Sequence, residues 1–232
     1  MERDAVQRLR ENRSFVIRQV RMSPAQREAY ARLSPEWTLS IDTLTAPLDW
    51  DRVFGRSGAR RIIDIGFGMG VELAELAEQW REVDFLGVEV HRPGVGRLLG
   101  QIEQRGLTNV RIVRDDAVVV LDRVVPPGSI DGVHLFFPDP WPKKRHHKRR
   151  LVRPGFPELI ARILKPGGYL YMVTDWENYA EQMLTVLGES PEFANTATAY
   201  AEPEAWRPQT AFERKGRAQG HKIFELRFER LT

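Results

Sequence analysis

The chain contains no cysteine at any of its 232 positions. That absence excludes disulfide bridges, thiolate zinc sites and cysteine nucleophiles, and it suits a cytoplasmic protein. Long apolar stretches are missing too, since no run approaches the roughly 18 residues needed to cross a bilayer. The N-terminus carries charges of both signs where a signal peptide needs an apolar centre, so an unprocessed, soluble chain without a membrane anchor is expected. No spacing of histidines and acids suggests a metal site. The histidines add little: His134 reads as a packed core residue, and His91 and His221 as residues of loops or strand ends.

What is present is the make-up of a globular protein, 42% hydrophobic and 29% charged, which is enough for one substantial core. The formal net charge of +3 hides an uneven distribution. Residues 143–150 read K-K-R-H-H-K-R-R, and without their six lysines and arginines the net charge would be −3. Basicity focused in this way suits a polyanion, although a solvated surface run has the same composition. Six arginines also lie within residues 1–21, namely Arg3, Arg8, Arg10, Arg13, Arg18 and Arg21, without helical periodicity, which reads as a flexible basic arm. Trp37, Trp50 and Phe54 then mark a lead-in segment. The expected division is an arm with lead-in over residues 1–58 and one catalytic domain over 59–232.

From Arg60 onward, short apolar runs alternate with helical stretches: Ile62 to Ile65, Phe85 to Val90, Val110 to Val113, Ile130 to Phe137 and Tyr169 to Thr174. Helices are expected over about 70–81, 93–105, 116–124, 154–164 and 176–188, with Lys165-Pro166-Gly167-Gly168 as a helix stop. Two final strands are expected near 197–201 and 222–230. This is the pattern of an α/β, Rossmann-like doubly wound fold: a mostly parallel, seven-stranded sheet with helices on both faces and an antiparallel C-terminal edge.

The first of these strands runs through Asp64 into Gly66-x-Gly68-x-Gly70, where the backbone can turn tightly with no side chains between it and a ligand. A dinucleotide fingerprint would place its third glycine at position 71, where this chain has Val71. The observed spacing is the one usual for S-adenosylmethionine. Glu89, at the end of the second strand, is placed to accept from ribose hydroxyls, and Asp116, favoured over Asp115, to hold an adenine amino group before the helix that Ala117 begins.

Phe136 to Arg150, F-F-P-D-P-W-P-K-K-R-H-H-K-R-R, carries the most information. Its prolines stiffen a loop that offers Asp139 and Trp141 for hydrogen bonding and stacking with a planar base, followed by cations for phosphates. With L-D-W-x-x-V-F-G-R at 48–56, G-V-E-V-H-x-P-G-V-G at 87–96, T-D-W-E at 174–177 and R-P-x-T-x-F-E at 207–213, this block resembles the bacterial tRNA (guanine-N7)-methyltransferase family of class I S-adenosylmethionine-dependent enzymes. The resemblance implies methyl transfer to a guanine in the tRNA variable loop. It implies cofactor contacts from Asp64, Gly66, Gly68, Gly70, Glu89 and Asp116, with Asp139 as the active-site acid. It also implies substrate contacts from Lys143, Asp175, Thr210, Phe212 and Glu213.

Arg145, Lys148, Arg149 and Arg150 are expected to hold RNA backbone. Asp175 and Glu213 are candidate acceptors for the guanine Watson-Crick edge; read without the resemblance, Asp175 suits a helix cap and Glu213 a surface charge. Asp64 stands where the family often has Glu, and Pro142 with His146-His147 varies the basic block. The competing readings are methylation of an exocyclic amine on RNA or DNA, a non-catalytic RNA-binding module, and an NAD-linked oxidoreductase. Val71 and the basic loop weigh against the last.

Overall fold

The computed structural model describes residues 7, 9, 11–16, 21–43 and 47–232, so Arg3, Arg8, Arg10 and Arg18 of the expected arm lie outside it. Two compact units divide the chain, Ile17–Pro126 and Met1–Val16 with Pro127–Thr232.

The first unit opens with a helix the sequence reading did not anticipate, α1 (Pro24–Trp37), with Pro24 in its first turn. Ser23 Oγ accepts from Gln26 N at 3.2 Å while Gln26 Oε1 accepts from Ser23 N at 2.7 Å, a reciprocal cap that satisfies two otherwise orphaned donors. The elements that follow are β1 (Thr38–Leu39), α2 (Trp50–Phe54), β2 (Arg60–Ile65), α3 (Val71–Gln79), β3 (Val83–Val88), α4 (Arg92–Arg105), β4 (Val110–Val113) and α5 (Ala117–Arg123). All four strands are parallel, with β1 on β4, β4 on β3 and β3 on β2. Every residue of β3 is buried, as a strand covered on both faces requires.

The lead-in aromatics do pack. Trp50 is buried against Phe54, and the Arg111 guanidinium lies 4.7 Å from the Trp37 ring and 5.3 Å from the Phe54 ring. Two glycines on α4 permit close approach. A Cβ on Gly94 would stand 1.8 Å from Gly68 O, and one on Gly96 would stand 2.6 Å from Gln26 O of α1.

The second unit contains β5 (Ile130–Phe136), a 3-10 turn (Lys144–Arg149), α6 (Phe156–Ile163), β6 (Leu164–Thr174), α7 (Glu177–Gly188), β7 (Phe193–Asn195), α8 (Ala211–Ala218) and β8 (Phe224–Arg230). Strand β6 is parallel to β5 and antiparallel to β8, which in turn pairs antiparallel with β7. Lys165 to Gly168 form an outward loop in β6, because Leu164 pairs with Ile130 and the next pair is Tyr169 with Gly132. Lys165 Nζ bonds both oxygens of Asp131 there, at 2.8 and 2.9 Å. His134 is a packed core residue, stacked on Phe136 and Trp206 with its Nε2 3.0 Å from the Tyr169 hydroxyl. Burial lowers its pKa to about 3 and keeps the imidazole neutral.

Three expectations change. The described residues hold eight strands instead of seven, the addition being the two-residue β1. The strand expected at 197–201 lies at 193–195, because Asn195 accepts from Ala197 N and donates to Ala199 O, folding the chain into an Asx turn. The basic arm is docked where it is described. Leu9 is buried, Trp141 Nε1 donates to Ser14 O at 2.9 Å, and Arg153 donates to Leu9 O and Asn12 O.

The Gly94 contact is with backbone, which has no rotamer to yield. Gly94→Ala is therefore expected to destabilise the protein by about 2 kcal/mol or more in urea melts, and a variant as stable as the parent would contradict this packing.

Candidate active site

The glycine turn follows β2, with Gly66, Gly68 and Gly70 at φ of 74°, 58° and 71°, values that side-chain-bearing residues adopt at a cost. Nothing lies within 4 Å of where a Cβ would stand on Gly66 or Gly68, so the turn presents bare backbone to open space. Glu89, just past β3, holds the turn: Oε2 accepts from Gly68 N at 2.9 Å while Oε1 accepts from Val90 N at 2.7 Å and His91 N at 2.9 Å. Three backbone donors leave this carboxylate about one acceptor site for a further partner. Asp116 caps α5, its Oδ1 accepting from Val118 N at 2.9 Å, and Asp115 accepts from Asp116 N. The carboxyl ends of β2, β3 and β4 share one sheet edge, so Asp64, Glu89 and Asp116 border a common margin.

Asp64 is 3% exposed, and among the described residues no basic group acts on its carboxyl. Burial, and then the neighbouring charges of Glu72 and Glu89, raise its pKa to about 8. A buried carboxylate of this kind beneath an open turn suits a cationic ligand group.

In the second unit, Asp139 is exposed on the loop after β5. Phe137 and Trp141, two positions to either side of it, have φ of 51° and 46°, and no other described non-glycine residue has a positive φ. Strained backbone of this sort persists where the surroundings over-determine it. Phe137 N is fixed to Val173 O at 2.7 Å, and Trp141 is fixed by Ser14 on one side and by the Arg149 guanidinium, 4.1 Å from its ring, on the other. Trp141 is thus a staple for residues 13–15 instead of an open stacking platform.

The basic run separates by burial. Lys143, Arg145 and Lys148 are exposed. Arg149 donates to Arg13 O and Phe15 O, both at 3.1 Å, and would have to exchange these bonds for a phosphate. Arg150, expected to hold RNA, is 1% exposed. It donates to Pro140 O, Asn178 and Gln182 and lies 4.8 Å from the Tyr179 ring, which corrects that assignment: it anchors the loop to α7.

Asp175 does not cap α7, whose N-cap is Trp176 without a side-chain bond; its Oδ2 instead lies 3.1 Å from His221 Nδ1. Glu213 is no surface charge. It is fully buried, bonded to Arg207 at 2.7 Å and to Arg217 at 2.8 Å. Burial pushes its pKa up, but the two guanidinium groups prevail and hold it below the ordinary carboxylate range. Arg207 also pairs with the buried Glu225 at 2.6 Å, which accepts from the Tyr171 hydroxyl. Thr210 caps α8 by accepting from Glu213 N at 3.0 Å, and Phe212 on that helix is 72% exposed. Arg207, Glu225 and Tyr171 were not singled out from sequence, although Arg207 opens the R-P-x-T-x-F-E motif. Among the described residues no cluster of three or more acids and histidines is arranged to hold a metal, and no helix is long and apolar enough to cross a membrane.

A family described as "Putative methyltransferase" matches residues 59–226. In fold the chain is similar to the 16S rRNA methyltransferase KamB, with TM-score 0.56 and 14% identity over 81% of this chain and 96% of that one. It is also similar to TrmN from Thermus thermophilus, with TM-score 0.55 and 18% identity over 78% and 47%. Fold and glycine turn together define a methyltransferase with a Rossmann-like α/β architecture. Among curated relatives, the tRNA (guanine-N(7)-)-methyltransferase of Burkholderia thailandensis is 52% identical over 96% of this chain and 83% of its own length. That of Ralstonia nicotianae is 51% identical over 94% and 86%. The chain belongs to the tRNA (guanine-N(7)-)-methyltransferase family.

Because the folded-state pKa of Asp64 lies above its ordinary value of 3.8, the folded protein binds more protons than the unfolded one between about pH 4 and 8, and stability declines as pH rises through that window. Asp64→Asn removes the decline. Melting temperatures of variant and parent, both without added ligand, are expected to lie closest at about pH 3.5 and to separate progressively in favour of the variant as pH rises to about 8, by on the order of 5 °C or more. Equal melting temperatures at both would contradict the burial argument.

Proposed function

We propose that the protein transfers the methyl group of S-adenosylmethionine to N7 of a guanine in the variable loop of tRNA, acting in the cytoplasm where tRNA resides. The observation that carries this reading is the 52% identity, over 96% of the chain, to a relative of that name. The residues present fit the cofactor: Asp64 is a buried carboxylate lacking a cation, and the methionine ammonium supplies one. The turn at Gly66, Gly68 and Gly70 admits the ligand's close approach, the remaining acceptor site of Glu89 suits the ribose hydroxyls, and Asp116 suits the adenine amino group. Bound there, S-adenosylmethionine supplies an electrophilic methyl group on a sulfonium.

Guanine N7 attacks through a lone pair and bears no proton, so no general base is needed. The protein's task is to align nucleophile and methyl group and to exclude water. Asp139, held by the strained residues on either side, orients the base and offsets the positive charge that develops on its imidazole ring. Lys143, Arg145 and Lys148 offer exposed cations to RNA phosphates. Phe212, on a helix fixed by Thr210, Glu213 and Arg207, offers an exposed face to a base. The two acids considered for the guanine edge part company here: Glu213 is committed to arginines, and Asp175 remains.

Incubation of unmodified tRNA transcripts with labelled S-adenosylmethionine, followed by chain cleavage at N7-methylguanine, tests the reaction; incorporation without cleavage would move the methyl group elsewhere. Asp139→Ala is expected to lower turnover at least a hundredfold while leaving cofactor affinity within about twofold, and unchanged turnover would refute the role given to Asp139. Arg145→Ala and Lys148→Ala are each expected to reduce the slope of log affinity for tRNA against log salt by about 0.7 to 0.9. Arg150→Ala is expected to lower stability by about 2 kcal/mol or more without such a reduction. A slope insensitive to Arg145 and Lys148 would return the basic run to a solvated surface.

A further inference from the structure

His221 follows α8 in a turn made by Gly220, whose φ is 80°. The turn is closed by a bond from His221 N to Gly216 O at 2.9 Å. Its effect is to aim the imidazole across the unit at the residue after β6, where Nδ1 stands 3.1 Å from Asp175 Oδ2. The packing between them is close: a Cβ on Gly216 would lie 3.4 Å from Asp175 Oδ2 and 3.6 Å from His221 Cβ. With a carboxylate opposite, Nδ1 carries the hydrogen and donates it. The other oxygen of Asp175, Oδ1, has no partner among the described residues, and the side chain is 33% exposed.

Resting on the functional reading above, we propose that His221 is a positioning residue for substrate selection: it holds Asp175 so that the carboxylate accepts from N1–H and the 2-amino group of the target guanine. Two observations and a physical argument favour this. The helix-cap role that would otherwise account for Asp175 is unfilled, since the N-cap of α7 is Trp176 and no side chain caps it. Glu213, the other acid suited to the guanine edge, has both oxygens engaged by guanidinium groups. An acidic side chain free to rotate would discriminate poorly, and a donor on Oδ2 fixes its plane while leaving Oδ1 available. A site built to accept hydrogen bonds penalises a base that lacks the donor, because the acceptor is then left unpaired once the bound base shields it from water.

The test compares tRNAs assembled by ligation with guanosine or inosine at the methylated position, inosine lacking the 2-amino group. The ratio of kcat/KM values is measured for the parent, His221→Ala and His221→Asn. The asparagine amide reaches the place of Nδ1. The parent is expected to favour guanosine, His221→Ala to lose about three- to tenfold of that preference, the scale of one net hydrogen bond, and His221→Asn to recover most of it. Cofactor affinity, measured alongside, is expected to stay at the parent value. An undiminished preference in His221→Ala overturns the proposal, as does a parent that does not discriminate guanosine from inosine. Should His221→Ala fail to bind cofactor, His221→Gln, whose amide extends past the Nδ1 position, is judged by the same ratio. Absence of any methyl transfer to N7 by the parent would instead refute the underlying functional reading.

Discussion

Three backbone N–H groups converge on the Glu89 carboxylate, and the geometry of the first unit depends on that convergence. One of the three belongs to Gly68, so the acid at the end of β3 fixes the turn at the end of β2. With the turn fixed, Gly68 O sits where only a glycine on α4 can face it, and Gly96 two positions on admits the backbone of α1. The sequence of tight contacts runs from a carboxylate, through a turn, to a helix and then to a second helix. A ligand on the turn therefore rests on a surface whose shape is set several residues deep, which is the kind of support a site needs to hold a reacting atom in place.

The basic block teaches a different lesson about charge. Consecutive cations read alike in a sequence, yet the 3-10 turn sends them in different directions. Arg150 goes inward to carbonyl and amide groups, Arg149 lies along residues 13–15, and Lys143, Arg145 and Lys148 face solvent. Guanidinium groups suit the inward roles because their several donors can satisfy scattered acceptors at once. Two of the six cations, Arg149 and Arg150, thus secure the Asp139 loop and residues 13–15.

The legible parts of the fold were those governed by local periodicity. Strands β2 to β6 and β8 and helices α3 to α7 lie close to where apolar spacing put them, and the acids at the ends of β2, β3 and β4 stand on one edge because parallel strands leave no other arrangement. What escaped was decided by distant partners or by chemistry that periodicity does not register. Helix α1 has little amphipathic character, and its signal was the Ser23–Gln26 cap, which was present but passed over. Burial of Glu213 depends on Arg207 and Glu225, and the second of these lies on a strand the sequence does not link to it. The meeting of Asp175 and His221, 46 positions apart, is likewise a product of topology. In the candidate site, residue identities were readable, and which acids keep an open oxygen was not.

The buried carboxylate of Asp64 has a consequence for the enzyme's surroundings. A group that is protonated when alone and ionised when facing an ammonium makes ligand capture and proton release parts of one equilibrium. Where Asp64 faces the donor's ammonium, as proposed above, the grip on the methyl donor is thereby coupled to ambient acidity and weakens as pH falls below the raised pKa of that carboxyl.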